Sequence, residues 1–315
     1  MAIPPTTLPA WIKEIGRGAK GARPLPATDA EALFSAMLGG LVPDLELGAI
    51  LLSLRIKGES DDELLGFSRA MQATTRTIAP TTTPVVVLPT YNGVRRQPNL
   101  LPLLAMMLRD SGIPVLIHGR HDFDQRENPF PLFAALGMSP ATSVDQINTQ
   151  LCDSGIALTD IGTLNPALDR LLALRQRLGV RNSAHTLCKL LDPCPGHTVR
   201  VVNVTHPEYL IRMGNLLEAQ QATALLLRGT EGEPFANPKR RPELRGFQRG
   251  IPITLFPAED GGTPPFPQDL GWPDSADVTR NVALIQSLRA NPERTPQPLR
   301  DQVTALTRLV GLSSV

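Results

Sequence analysis

Two short apolar runs separated by one helix constrain the fold of this chain more than any other feature. Residues 85–88 are apolar, mostly β-branched and bounded by prolines, which is typical of a buried strand. Residues 114–118 form a second such run, after a helical segment at 100–110 that Gly112 ends. A strand, a helix and a second buried strand form a βαβ unit, and such units build parallel sheets. We therefore predict an α/β protein with a mainly parallel central sheet.

The same reading extends this sheet toward the C-terminus. Residues 200–204 and 224–227 are predicted strands, and residues 208–219 are a predicted helix between them. Residues 259–277 are rich in Pro, Gly and Asp, so we expect an acidic loop there. Two terminal helices follow, at 278–288 and 298–309.

The N-terminal part predicts a small helical unit. Thr28-x-x-Glu31 and Ser60-x-x-Glu63 read as capping boxes that open two helices, and Pro43 marks the start of another. Each helix carries apolar residues at the spacing of one buried face.

The composition of 79–84, rich in Thr and Pro, predicts a linker and hence two domains. We assign residues 1–78 to a helical dimerisation domain, to which residues 165–191 return. Helices are predicted at 166–178 and 183–191 within this returning segment. Residues 79–164 and 192–315 are assigned to the α/β domain.

The cysteine spacing and the lack of a recognisable signal or membrane segment predict a cytoplasmic protein. Three cysteines without C-x-x-C spacing argue against a disulfide framework and against a thiolate zinc cluster. The N-terminus has no basic region followed by an apolar core, and no apolar run is long enough to cross a membrane.

One side-chain cluster after the second strand could ligate a metal. It consists of His118, His121, Asp122 and Asp124, and imidazole and carboxylate are common ligands. A solvated loop explains the same residues, and we favour that interpretation.

Three segments resemble the glycosyltransferase family of anthranilate phosphoribosyltransferases and pyrimidine nucleoside phosphorylases. They are residues 42–59, 134–137 and 175–181. The resemblance runs over nearly the whole chain, and it implies a helical domain joined to a larger α/β domain. It also implies phosphoribosyl transfer, for which the enzymes use magnesium and phosphoribosyl pyrophosphate.

The chain departs from these enzymes at their catalytic loops. Where the enzymes carry G-T-G-G-D, K-H-G and an Asp-Glu pair for magnesium, this sequence reads Pro89-Thr-Tyr-Asn-Gly93, Ile117-His-Gly119 and Pro234-Phe235. We therefore expect no catalytic residues, no metal and no cofactor. Nearby Glu231 and Glu233 could replace the lost carboxylates, although solvated side chains are the more common outcome in such a turn.

Some anion binding is expected to survive these changes. Arg175 matches the arginine that contacts the aromatic acid in the enzymes. The predicted residual anion pocket consists of Tyr91, Asn92, Gly93, His118, Gly119 and Arg175.

Basic residues replace the lost phosphate loops. The net charge is only +1, but Lys and Arg gather in a few segments, which predicts a groove that follows a phosphate backbone. The same residues are also compatible with separate solvated patches. The predicted nucleic-acid-binding residues are Lys13, Arg17, Lys20, Arg23, Arg95, Arg96, Arg177, Arg181, Lys189, Lys239, Arg240 and Arg241.

Five further segments are similar to a DNA-binding bacterial branch of the family, namely residues 13–18, 91–93, 179–187, 206–209 and 229–233. This resemblance implies a homodimer formed through the helical unit and binding of DNA and RNA without sequence preference. Only 4% of the residues are aromatic, so phosphate contacts should dominate over base stacking.

The leading hypothesis is therefore a homodimeric, nonspecific nucleic-acid-binding protein with degenerate catalytic loops and no membrane association. The alternative is an enzyme, a pentosyltransferase of the phosphoribosyltransferase type, that uses magnesium and phosphoribosyl pyrophosphate on an unidentified base. A third hypothesis is a module that binds a small anion near Arg175.

Overall fold

The computed structural model describes residues 7–18, 20–120, 126–260 and 277–313. The chain divides into two compact units. Unit 1 comprises residues 1–76 and 164–192, and unit 2 comprises residues 77–163 and 193–315.

Unit 1 is helical. Its helices are α1 (Thr7–Ile15), α2 (Ala27–Leu38), α3 (Asp44–Lys57), α4 (Asp61–Thr74), α9 (Pro166–Ala173), α10 (Arg175–Leu178) and α11 (Ala184–Leu187). Helices α2 and α4 pack against each other, and the rings of Phe34 and Phe67 stack at 4.9 Å between their centroids. Burial of these apolar faces is the main stabilisation of such short helices.

The predicted capping box at Ser60 is confirmed. The Glu63 amide donates to Ser60 Oγ at 3.2 Å, and Glu63 Oε2 accepts from the Ser60 amide at 2.8 Å. The fully buried Glu63 carboxylate also accepts from the Leu25 amide and from Lys57 Nζ. The capping box predicted at Thr28 is wrong, because α2 already begins at Ala27 after Pro26 and has no side-chain cap.

Unit 2 is built on one seven-stranded sheet. Its strands are β1 (Val85–Thr90), β2 (Val115–Gly119), β3 (Ile156–Asp160), β4 (Thr198–Val204), β5 (Ala224–Arg228), β6 (Leu244–Gln248) and β7 (Ile251–Phe256). The strand order is β3-β2-β1-β4-β5-β6-β7. Strands β1 to β5 are parallel, while β6 and β7 are antiparallel, so the predicted mainly parallel sheet is confirmed.

Seven helices of the described residues belong wholly or mainly to unit 2. They are α5 (Leu101–Asp110), α6 (Pro129–Ala135), α7 (Val144–Asp153), α8 (Ile161–Leu164), α12 (Pro207–Ala219), α13 (Val278–Ala290) and α14 (Gln297–Ser313). The main core lies between one face of the sheet and helices α5, α13 and α14. Strand β1 is buried along its whole length, which explains its unbroken apolar run.

Two parts of the fold differ from the sequence-based expectation, and a third part lies largely outside the described residues. The antiparallel strands β6 and β7 were not predicted, because β7 is largely exposed and lacks a continuous apolar run. The helix predicted at 166–178 is two shorter helices, α9 and α10. The acidic loop predicted at 259–277 falls largely on residues 261–276, outside the described residues.

None of the helices within the described ranges combines the length and the apolar character needed to span a lipid bilayer.

Candidate functional site

The carboxyl ends of β1, β2, β4 and β5 lie at one edge of the sheet in unit 2. Thr90 at the end of β1 pairs with Gly119 at the end of β2, and Val204 of β4 pairs with Arg228 of β5. Ligands of open α/β sheets bind at this edge, because the loops that follow the strands converge there.

Glu233 joins the loop after β5 to the loop after β1. Its side chain is fully buried, and Oε2 accepts a hydrogen bond of 2.6 Å from the hydroxyl of Thr90. Its Oε1 accepts from the backbone amides of Asn92 at 3.0 Å and Gly93 at 2.9 Å. Hydrogen bonds to an ionised carboxylate are stronger than neutral ones, so this contact anchors the two loops to each other.

Glu231 makes an analogous contact two residues earlier. Its carboxylate accepts from the amide of Arg95 at 2.9 Å and from the amide of Arg96 at 2.8 Å. Glu231 adopts a φ of +52°, which is unfavourable for a residue with a side chain. Gly232 follows with a φ of +92°, and a Cβ there would lie 1.6 Å from Asn92 Nδ2. Position 232 therefore requires glycine.

Together, the two carboxylates bind four backbone amides of the segment 92–96. Amides that point to a common side form an anion-binding concavity in many phosphate sites. Here the anions that they bind belong to the protein itself. The expectation of a solvated side chain is therefore wrong for Glu233, which is buried and accepts backbone hydrogen bonds. Glu231 accepts backbone hydrogen bonds as well, but it is half-buried and keeps contact with solvent.

His118 lies at the carboxyl end of β2. Its Nδ1 is 2.7 Å from the hydroxyl of Tyr91, and the two rings meet edge-on. Its Nε2 is buried and has no hydrogen-bond partner among the described residues. Burial lowers the pKa of His118 to about 3, so the ring is neutral near pH 7. A neutral ring can hold a proton on either nitrogen.

Arg126 and Glu127 cover the loop after β1, and sequence reasoning missed both. Glu127 and Val94 exchange two backbone hydrogen bonds, of 2.8 and 3.0 Å. Arg126 Nη1 donates to the carbonyl oxygens of Gly93 and Glu231, at 3.3 and 3.4 Å. Neither residue belongs to a recognisable motif, so the sequence carried no signal for them.

The Glu127 carboxyl group is buried and has no hydrogen-bond partner among the described residues. Burial raises its pKa to about 7, and the negative charge of Asp277 adds to the shift. The group is therefore partly protonated near neutral pH.

The comparisons with known proteins agree with this architecture. A family model, the helical bundle domain of a glycosyl transferase family, matches residues 9–75. The uncharacterized protein YbiB of Escherichia coli (strain K12) is 40% identical over 304 residues, which cover 95% of this chain and 93% of YbiB. The chain belongs to the YbiB family.

This YbiB-family protein is also similar to anthranilate phosphoribosyltransferases. The one from Rhodopseudomonas palustris (strain BisA53) is 27% identical over 298 residues, covering 91% of this chain and 83% of the relative. The crystal structure of the Thermus thermophilus enzyme matches with a TM-score of 0.70 at 21% identity, covering 98% of this chain and 93% of that one. The Saccharomyces cerevisiae enzyme in complex with PRPP and Mg matches with a TM-score of 0.69 at 12% identity, covering 99% and 95%. These likenesses show the fold.

The residues of this YbiB-family protein do not fit the magnesium site that the fold family implies. By the resemblance to the enzymes, Pro234 and Phe235 stand at the positions of the two acidic ligands. Neither residue offers a side-chain oxygen, and Phe235 is buried in the core. The nearby carboxylates of Glu231 and Glu233 are already bound to backbone amides. Over the ranges that the structure describes, no three His, Cys, Asp or Glu side chains form a metal-ligand group. His121, Asp122 and Asp124 lie outside those ranges.

The basic residues predicted in unit 2 fall into two groups. Arg95, Arg96, Lys239 and Arg240 are exposed. Arg241 is different, because its side chain is only 15% exposed and forms ion pairs with Asp301 and Glu259. The prediction that Arg241 is available to nucleic acid is therefore wrong, because these two ion pairs neutralise its charge inside the protein.

In unit 1, four predicted basic residues belong to one local structure. The Arg23 amide donates to the Glu14 carbonyl at 2.9 Å, which brings the segment that contains Lys20 and Arg23 back to the end of α1. Lys13, Arg17, Lys20 and Arg23 are all exposed, and Arg17 pairs with Glu14 at 2.9 Å.

The other basic residues of unit 1 lie on or near α10 and α11. Arg177 is exposed and pairs with Asp44 at 3.0 Å. Arg175, Arg181 and Lys189 are half-buried.

The predicted residual anion pocket is only partly assembled in unit 2. The amides of Asn92 and Gly93 bind Glu233, and the hydroxyl of Tyr91 contacts His118. Gly119 packs so tightly that a Cβ there would lie 2.0 Å from the carbonyl oxygen of Thr90. Arg175 belongs to unit 1. A pocket that combines all these residues stays a prediction.

Proposed function

We propose that this YbiB-family protein binds nucleic acid without sequence preference and does not transfer phosphoribosyl groups. One observation carries the proposal: the carboxylates of Glu231 and Glu233 occupy the loop amides of residues 92–96. A diphosphate needs such donors, and magnesium needs carboxylates that are free to bind it. The site therefore has no free amides at these positions for a diphosphate and no free carboxylates for magnesium.

Exposed basic side chains can bind a different ligand, the phosphate backbone of a nucleic acid. Arg95 and Arg96 are exposed while Glu231 holds their backbone amides, so a fixed segment presents both guanidinium groups to solvent. Lys239 and Arg240 add two exposed charges in unit 2. Arginine binds phosphate oxygens in a bidentate manner, and such contacts carry no sequence information.

A homodimer through unit 1 is the second part of the proposal. Leu45, Leu52 and Ile56 of α3 are 82%, 49% and 65% exposed, and their spacing places them on one helix face. Exposed apolar residues that gather on one face mark interaction surfaces. A second copy of the chain would cover this face and double the number of basic segments. Light scattering should show a dimer that Leu45→Glu with Leu52→Glu dissociates, and a monomeric parent protein would contradict it.

Phosphoribosyl transfer is the second candidate function, and the comparisons favour it more directly than nucleic-acid binding. Anthranilate phosphoribosyltransferases at 24% to 28% identity are among the relatives of this chain. The chain also keeps Gly93, His118 and Gly119 at positions that match the enzymes' loops. This candidate predicts magnesium-dependent consumption of phosphoribosyl pyrophosphate with anthranilate or another base.

Binding of labelled single-stranded DNA over about 50 to 200 mM salt separates the two candidates. We expect affinity that falls steeply with salt, together with no turnover of phosphoribosyl pyrophosphate by the same preparation. Arg95→Glu with Arg96→Glu should weaken binding by about tenfold or more and reduce the salt dependence. The control, Arg289→Glu with Arg308→Glu, makes the same change in net charge at α13 and α14. Weak, salt-insensitive binding would contradict nucleic-acid binding, and magnesium-dependent turnover would establish the second candidate.

A further inference from the structure

A cavity lies at the amino-terminal edge of the sheet in unit 2, opposite the edge that holds Glu231 and Glu233. This amino-edge cavity is lined by residues of three segments, 79–83 before β1, 109–114 before β2 and 148–155 before β3. The three strands are neighbours in the sheet, so the segments meet there. The cavity has a volume of about 520 Å³, which is typical of pockets that bind small molecules.

Hydrogen bonds and close packing hold the walls of the amino-edge cavity in place. The Ala79 amide donates to Asn148 Oδ1 at 3.0 Å, which joins the segment before β1 to α7. The Val115 amide donates to the Gly155 carbonyl oxygen at 2.9 Å. A Cβ at Gly155 would lie 2.9 Å from Arg109 Cγ, so the stem of Arg109 packs directly on this glycine. The three segments are therefore tied to one another around the cavity.

The lining of the amino-edge cavity combines aliphatic surface with one cation. Pro80, Ile113 and Leu151 contribute apolar surface, and the described residues of the lining include no aromatic side chain. Arg109 is the only charged residue among the described residues of the lining. Asn148 uses its side-chain oxygen within the protein, and its NH₂ group is a donor. Such a lining suits a ligand with an aliphatic body and an anionic head that accepts hydrogen bonds.

The ion pairs around Arg109 leave an excess of positive charge. Arg109 donates from Nε to Asp110 Oδ1 at 2.9 Å. The other oxygen of Asp110 lies 3.5 Å from a guanidinium nitrogen of Arg289. Two guanidinium groups therefore share one carboxylate. The Arg109 side chain is 32% exposed, so a carboxylate from a ligand can reach it and balance the remaining charge.

We propose that the amino-edge cavity binds a small aliphatic carboxylate, with the carboxylate paired to Arg109 and the hydrocarbon body against Ile113 and Leu151. Burial of the body supplies the hydrophobic part of the affinity, and the ion pair fixes the orientation of the ligand. The inference does not rest on nucleic-acid binding, because none of the residues proposed to contact nucleic acid lines this cavity.

NMR titration of the full-length protein with hexanoate tests the proposal. The amide signals of Cys152 and Gly155 should shift, with a dissociation constant on the order of 1 mM or below. Acetate has the same head without the body, and hexanamide has the same body without the charge. Both should bind at least about threefold more weakly than hexanoate. Equal binding of the three compounds, or shifts confined to residues away from the cavity, would overturn the proposal.

Arg109→Gln should weaken hexanoate binding by at least about threefold, because it removes the charge and keeps the part of the stem that packs on Gly155. The matched control is Arg289→Gln, which removes a cation that pairs with the same carboxylate of Asp110 but does not line the cavity. The control should bind hexanoate as the parent protein does. Equal losses in the two variants would mean a general charge effect and would overturn the proposal.

Cys152 provides a second readout that does not depend on the folding of Arg109→Gln. It is exposed and lines the cavity, whereas Cys188 and Cys194 are buried. Near-saturating hexanoate should slow the alkylation of Cys152 by iodoacetamide several-fold, and acetate should not. Cys152→Phe should fill the cavity and abolish hexanoate binding while thermal unfolding stays unchanged. An unprotected thiol in the parent protein, or full binding by a folded Cys152→Phe, would overturn the proposal.

Discussion

The carboxylate of Glu233 accepts a hydrogen bond of 2.6 Å from the hydroxyl of Thr90, a residue 143 positions earlier in the chain. This contact joins the end of β1 to the loop after β5 at the edge of the sheet where open α/β folds bind their ligands. The same carboxylate accepts from the amides of Asn92 and Gly93, which are the kind of donors that a bound phosphate uses.

Loss of the Glu233 carboxylate should destabilise unit 2. Glu233→Ala leaves the Thr90 hydroxyl and the amides of Asn92 and Gly93 without their acceptor, and buried donors without acceptors cost about 1 to 3 kcal/mol each. We expect the free energy of unfolding to fall by at least about 3 kcal/mol in urea denaturation. Glu208→Ala, in the exposed first turn of α12, should change it little. Equal losses in both variants would contradict a buried anchor.

Glu127 should make stability depend on pH near neutrality. Its folded pKa of about 7 lies above the ordinary value of 4.5, so the folded state binds more protons than the unfolded state between these values. Stability should therefore fall as pH rises from about 4.5 to 7. Glu127→Gln should be more stable than the parent protein at pH 8, by on the order of 1 to 3 kcal/mol, with a smaller difference at pH 4.5. Urea denaturation at both pH values measures this, and a difference independent of pH would contradict it.

His118 should make stability depend on pH in the opposite direction to Glu127, and at lower pH. Its folded pKa of about 3 lies below the ordinary value of 6.5, so the unfolded state binds more protons between these values. Stability is lost as pH falls through this window, by on the order of a few kcal/mol. His118→Gln should flatten this part of the stability profile while keeping a polar group near Tyr91. An unchanged slope in the variant would show that other groups titrate there.

Arg241 should matter for stability rather than for nucleic-acid binding. Arg241→Ala leaves Asp301 without its cation, and the side chain of Asp301 is only 9% exposed. We expect a loss of about 1 to 3 kcal/mol in thermal or urea unfolding. Arg240→Ala removes an exposed charge of the neighbouring residue and should cost little. A loss of DNA affinity in a fully stable Arg241→Ala would reverse this assignment.

Local sequence patterns predicted much of the fold. The apolar run at 85–88 became β1, and Ser60-x-x-Glu63 formed the expected capping box, because both signals lie within a few residues. The pattern failed for β7, which is largely exposed and pairs with β6 in an antiparallel hairpin. It also failed at Thr28, where the helix begins two residues too early for the hydroxyl to cap it.

The sequence by itself determined that Pro234 and Phe235 stand where the resemblance to the enzymes places acidic ligands, and that arginines follow the first loop. Only the tertiary structure decided that Glu231 and Glu233 bind the amides of that loop and that Arg241 is neutralised by Asp301. The reason is physical. A local pattern specifies helices and strands through neighbouring residues, whereas these contacts join residues 60 to 141 positions apart that meet only when the sheet and its helices are packed.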